Sequence, residues 1–104
     1  MDNFKTMYLI LSALEKAMDT GLDKQDISAE RLGVSESRRN AILKMLADEG
    51  YIKGVKFLSY SGGIEQVAID GIAITIKGLE FLENNTMMKK AYKLLKGIRD
   101  ILPM

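Results

Sequence analysis

No cysteine, histidine or tryptophan occurs among the 104 residues. Without cysteine there is no disulfide, no zinc–thiolate site and no thiol nucleophile. Without histidine the commonest general base and the commonest metal ligand are gone. A Ser/His/Asp or Cys/His catalytic constellation is therefore excluded. Paired carboxylates remain available in principle, but the 14 acidic residues are scattered, with Asp48 and Glu49 the closest pair at a helix end. There is no GxxxxGK[ST] phosphate loop and no GxGxxG following a strand. These absences point away from an enzyme, and neither a metal nor another cofactor is expected.

Other absences bound the setting. No apolar run approaches the roughly 18 residues that a membrane span needs. The opening MDNFKTMYLILSALEK interleaves acidic and polar residues and has no basic leader. The expectation is a cytoplasmic protein with no membrane partner. The composition, 47% hydrophobic and 28% charged, suits a single globular domain over 1–104 with a modest core. The net charge of +1 conceals an asymmetry along the chain. Residues 86–104 carry Lys89, Lys90, Lys93, Lys96 and Arg99 against Asp100, a balance of +4, which leaves −3 for residues 1–85.

What is present is a pattern of caps and stripes. Residues 2–20 read as a first helix, with Phe4, Met7, Tyr8, Leu11, Leu14 and Met18 at helical spacing. A polar connector, 22–27, leads to Ser28, which can cap a short second helix over 28–33. Ser35 can cap a third helix, 36–49, and Gly50 can close it in the left-handed conformation. Within that helix Ile42, Met45 and Leu46 form the expected buried stripe. Short helix, tight turn and longer helix together make a helix-turn-helix layout.

Residues 51–69 read as a β-hairpin turning at Ser61-Gly62-Gly63. Ile72-Ala73-Ile74 either adds a short third strand or crosses back over the core. Thr75 can cap a helix over 76–85, and Thr86 a final helix reaching about 102, so that C-terminal helices fill 76–102. The fold class is α+β: a winged helix-turn-helix, with three-helix core and β-hairpin wing, extended by C-terminal helices. Leu11, Leu14, Leu32, Ile42, Leu46, Ile52, Leu79 and Leu82 are the expected core.

In a helix-turn-helix the N-terminal part of the second helix approaches the base edges. Ser37, Arg38, Arg39 and Asn40 occupy that part here, and arginine and asparagine are the side chains whose forks match guanine and adenine. Lys44 follows one turn later. Lys53 and Lys56 on the first strand are placed for phosphate contact, and Tyr60 at the uncharged hairpin tip can donate to a phosphate. The same residues also fit a solvated helix face in which Glu36 and Asp48 balance the arginines. Two functions are thus carried forward: a small DNA-binding, regulator-like module for double-stranded DNA, and a winged-helix interaction module for a host or phage protein that binds no DNA.

The last helix offers an assembly surface. Met88, Ala91, Leu95, Ile98 and Leu102 make an unbroken seam, flanked by Met87, Leu94 and Ile101. One row can face the domain while the other faces a second copy, so a homodimer is expected. The opposed alternative buries both rows within one chain.

Three segments carry a family resemblance: the EGYIKGV junction, the T-x-KG-x-x-(F/Y)-L pattern at Thr75–Leu82, and KAYK at Lys90–Lys93. In this order the chain resembles the YjcQ-like family of small bacterial and prophage proteins, over most of its length. The resemblance implies a winged-helix fold with an added C-terminal helix and a phage or prophage origin in a Gram-positive bacterium. It implies no catalytic or cofactor residues.

Overall fold

A computed structural model describes residues 3–59 and 65–85. The first helix, α1 (Asn3–Thr20), buries Tyr8, Ile10, Leu11 and Leu14. Phe4 and Met18 at its two ends are exposed at 62% and 65%, so the buried stripe is narrower than the apolar spacing implies. The connector that follows is a 3-10 turn, Lys24–Ile27, capped by the Asp23 carboxylate, which accepts from the Gln25 amide. Its last residue, Ile27, is fully buried. This short turn thus contributes to the core rather than merely joining two helices.

Ser28 caps the short α2 (Ala29–Leu32) and Ser35 caps α3 (Glu36–Asp48), each hydroxyl accepting from an amide three residues on. Both caps satisfy an amide that the first helical turn leaves unpaired. The buried side of α3 is Ile42, Leu43 and Leu46, while Met45 is 45% exposed. The helix is therefore rotated from its expected setting, with Leu43 inward in place of Met45. The chain leaves α3 through a left-handed turn at Gly50, where the Gly50 amide donates to Ala47 and the Tyr51 amide to Leu46. This is the two-bond closure of a Schellman motif.

The strands form two small antiparallel pairs. β1 (Ile52–Lys53) pairs with β4 (Ala73–Ile74), and β2 (Lys56–Ser59) pairs with β3 (Glu65–Ala68), with Phe57 opposite Val67. The continuous strand expected over 51–60 is divided at Gly54, whose φ is +81°. A β-carbon there would overlap the Gly71 carbonyl. The hairpin is therefore β2–β3 alone, and Ile72-Ala73-Ile74 supplies the partner for β1.

Thr75 caps α4 (Ile76–Asn84), which packs against α1. The Thr75 hydroxyl accepts from the Gly78 amide and donates to the Gly50 carbonyl at 2.6 Å. Lys77 donates to the Glu49 carbonyl at 2.8 Å, with its ammonium 5.0 Å from the centre of the Tyr51 ring. Tyr51 in turn meets Phe81 edge-on, the ring centres 5.6 Å apart. Gly78 lies so close to the Tyr51 carbonyl and the Ile74 side chain that a β-carbon would overlap both. The end of α3 and the start of α4 thus form one junction.

The core unites α1, the 3-10 turn, α3 and the small sheet: Leu11, Leu14, Ile42, Leu46, Ile52 and Leu82 are buried as expected, joined by Ile27, Leu43, Ile69 and Ile74. Leu32 and Leu79 are half-buried at its edge. Among the described residues no helix is long and apolar enough to cross a membrane. The arrangement is α+β, with four α-helices and two small antiparallel sheets among the described residues, and is compatible with a winged helix.

Candidate nucleic-acid interface

Stepping along α3 by three and four residues separates two stripes. Arg39, Ile42, Leu43 and Leu46 follow one another at helical spacing on the side facing the core. Ser37, Ala41, Lys44 and Asp48 make the opposite stripe, all exposed, with Arg38 and Met45 at its edge.

The two adjacent arginines therefore have different surroundings. Arg38 is exposed, and its guanidinium donates to Asn3 Oδ1 at 2.9 Å, linking the start of α3 to the start of α1. Arg39 is half-buried: its Nε donates to the Ile27 carbonyl at 3.0 Å and its Nη1 to Asn40 Oδ1, also at 3.0 Å. A partly buried hydrogen bond from a charged donor to a backbone acceptor is among the stronger kinds. Arg39 thus fastens α3 to the 3-10 turn, and Asn40 is held beside it. Of the candidates in the first turns of α3, Ser37 and Arg38 thus lie on or beside the open stripe, and Arg39 and Asn40 do not. The signal was present in the spacing, because Arg39 begins the same stripe as Ile42, Leu43 and Leu46.

Lys44 is exposed and held by Asp48 one turn later, its ammonium 3.1 Å from Oδ1. It also lies 5.4 Å from the centre of the Phe57 ring, which brings the open stripe of α3 against β2. Phe57 is half-buried against the core, so strand alternation sends its neighbour Lys56 to the other face of the hairpin. Lys53 on β1 is exposed as well. The cationic candidates that remain accessible are Arg38, Lys44, Lys53 and Lys56. Tyr60 and the candidate dimer residues Met87, Met88, Ala91, Leu94, Leu95, Ile98, Ile101 and Leu102 lie outside the described residues.

A shallow groove runs beside Arg38, lined by Asn3, Ser35, Ser37, Ala41 and Met45. It is open to solvent and mixes small polar with apolar groups, which suits contact with a macromolecular surface better than enclosure of a small ligand. Among the described residues no cluster of acidic side chains could hold a metal ion.

The model of the family described as "YjcQ protein" matches residues 8–101. The uncharacterized protein YjcQ of Bacillus subtilis (strain 168) is 34% identical over 100 residues, covering 96% of this chain and 97% of that protein. No solved structure matches at a significant level.

Proposed function

The chain belongs to the YjcQ family, and on that premise we propose that it is a small winged-helix module that binds double-stranded DNA through the open stripe of α3. The observation that carries the reading is the division of α3 into a buried stripe headed by Arg39 and an open one bearing Ser37, Arg38, Ala41 and Lys44. An exposed, otherwise regular helix capped at its N-terminus and set beside a β-hairpin is the geometry with which winged domains enter a major groove. In this reading Arg38 and Ser37 approach base edges, while Lys44, Lys53 and Lys56 neutralise phosphates. Regulation of transcription in a cytoplasmic, prophage-type setting is the role that goes with it, and no catalysis is part of it.

Fluorescence-anisotropy titration with a random-sequence duplex tests the reading. With Lys44, Lys53 and Lys56 as the phosphate contacts, the plot of log affinity against log salt should fall with a slope of about −2 to −3. Absence of binding at tens of micromolar protein would overturn it.

A protein-interaction role is favoured by a different observation: Phe4 and Met45 are both large, apolar and exposed, one on α1 and one on α3. In that case the duplex titration is blank and the same surface takes an apolar protein partner. Pairing of two copies through 86–102 belongs to the DNA reading, since it would set two α3 helices on one face for two half-sites. Light scattering distinguishes a mass near 11.6 kDa from twice that value.

A further inference from the structure

Asp48 shares the open stripe with the side chains proposed to meet DNA. Steps of four, three and four residues lead from Ser37 through Ala41 and Lys44 to Asp48. Its carboxylate holds the Lys44 ammonium through both oxygens, at 3.1 and 3.4 Å. The two side chains are 51% and 60% exposed, so an incoming anion can reach the pair and compete for the lysine.

The position is not one that helix stability favours. Asp48 is the last residue of α3, where the negative end of the helix dipole disfavours a carboxylate. An exposed pair one turn apart contributes little to folding. The larger effect of Asp48 falls on whatever negative surface approaches this face: it cancels Lys44 in place and sets a carboxylate against the phosphates.

We infer that Asp48 is an electrostatic brake on DNA binding, withholding Lys44 from a phosphate until α3 seats closely enough for that phosphate to displace the carboxylate. The inference rests on the duplex-binding reading above. Its consequence is discrimination. Arbitrary duplex is held weakly, and a sequence on which the α3 face seats fully gains Lys44 as an additional phosphate contact. Asp48 acts through Lys44 and is a positioning residue rather than a contact.

The test uses Asp48→Asn, which removes the charge and keeps the shape. On random-sequence duplex at low salt it should bind about three- to tenfold tighter than the natural chain, with the salt slope steeper by about one. Asp19→Asn is the control: it makes the same change in net charge at the exposed C-terminal end of α1. That end lies roughly 24 Å along the helix from Asn3, the α1 residue that touches Arg38. Asp19→Asn should leave both quantities unchanged. In a Lys44→Ala background the gain from Asp48→Asn should shrink and the steeper slope disappear. Equal binding by Asp48→Asn and the natural chain overturns the brake, as does an equal gain from Asp19→Asn or an undiminished gain without Lys44. If neither the natural chain nor Asp48→Asn binds duplex at tens of micromolar, the DNA reading itself fails and the brake fails with it.

Discussion

At the C-terminal end of α3 the backbone is tied to another element: the carbonyls of Glu49 and Gly50 accept from Lys77 and Thr75, and Gly78 lies against the Tyr51 carbonyl. At the N-terminal end the ties are made by side chains, Arg38 to Asn3 and Arg39 to the Ile27 carbonyl, while Ser35 caps the first turn and Ser37, Arg38 and Ala41 are exposed. Two of the three segments that carry the family resemblance, from Glu49 to Val55 and from Thr75 to Leu82, lie at the C-terminal end of α3. What they report is how α3, β1 and α4 are joined. A likeness of this kind says how the elements join and not what the open face of the molecule meets.

That contrast can be broken by mutation, and the largest effect belongs to the core beneath both ends. Leu46 is 1% exposed, so Leu46→Ala should destabilise the protein by about 2–5 kcal/mol. Its neighbour Met45 is 45% exposed, and Met45→Ala should stay within about 0.5 kcal/mol. Chemical denaturation of the two variants checks which side of α3 is packed. A large loss at Met45 and none at Leu46 would show the helix turned the other way.

Arg39→Ala comes next, with a loss of about 1.5–3 kcal/mol for a partly buried bond from a charged donor. Arg38→Ala, one residue away, should melt with the natural chain, because its partner Asn3 is bonded in an exposed setting. Gly78→Ala should cost about 1–3 kcal/mol by forcing a methyl group against the Tyr51 carbonyl and Ile74. A Gly78→Ala protein as stable as the natural chain would mean that α4 can shift freely against β1.

The smallest effect concerns the Lys24–Asp70 pair, which links the 3-10 turn to the turn between β3 and β4. The hydrogen bond from Lys24, and then its charge, hold the Asp70 carboxyl below its ordinary value of 3.8. A lowered folded-state value means that any contribution to stability is present above 3.8 and fades as the pH falls through the folded-state value. Because both side chains are exposed, Asp70→Asn should shift neutral-pH melting only slightly, and the difference should vanish in acid. A difference that grew on acidification would reverse the assigned sign.

Much of this architecture is written locally. Ser28, Ser35 and Thr75 cap helices through bonds that span three residues, and such chemistry is visible in a short window of sequence. What a window misses are contacts between distant segments. Ile27 sits in a stretch that looks like a polar linker, yet it is fully buried because α1 and α2 pack against its turn. The division of the strand at Gly54 depends on the close approach of the Gly71 carbonyl, seventeen positions away. At the candidate site, Arg38 and Lys44 are exposed as their spacing allows. The inward side of Arg39 follows from its spacing to Ile42 and Leu46, but its partner, the Ile27 carbonyl twelve residues earlier, does not.

The difference between the two arginines is tested by Arg38→Ala with random-sequence duplex in low-salt anisotropy. The prediction is affinity at least about fivefold weaker, of the order expected for a lost charge-assisted contact, with the melting temperature unchanged. A variant that binds the duplex as tightly as the natural chain would contradict the assignment of the open α3 stripe as the DNA-binding face.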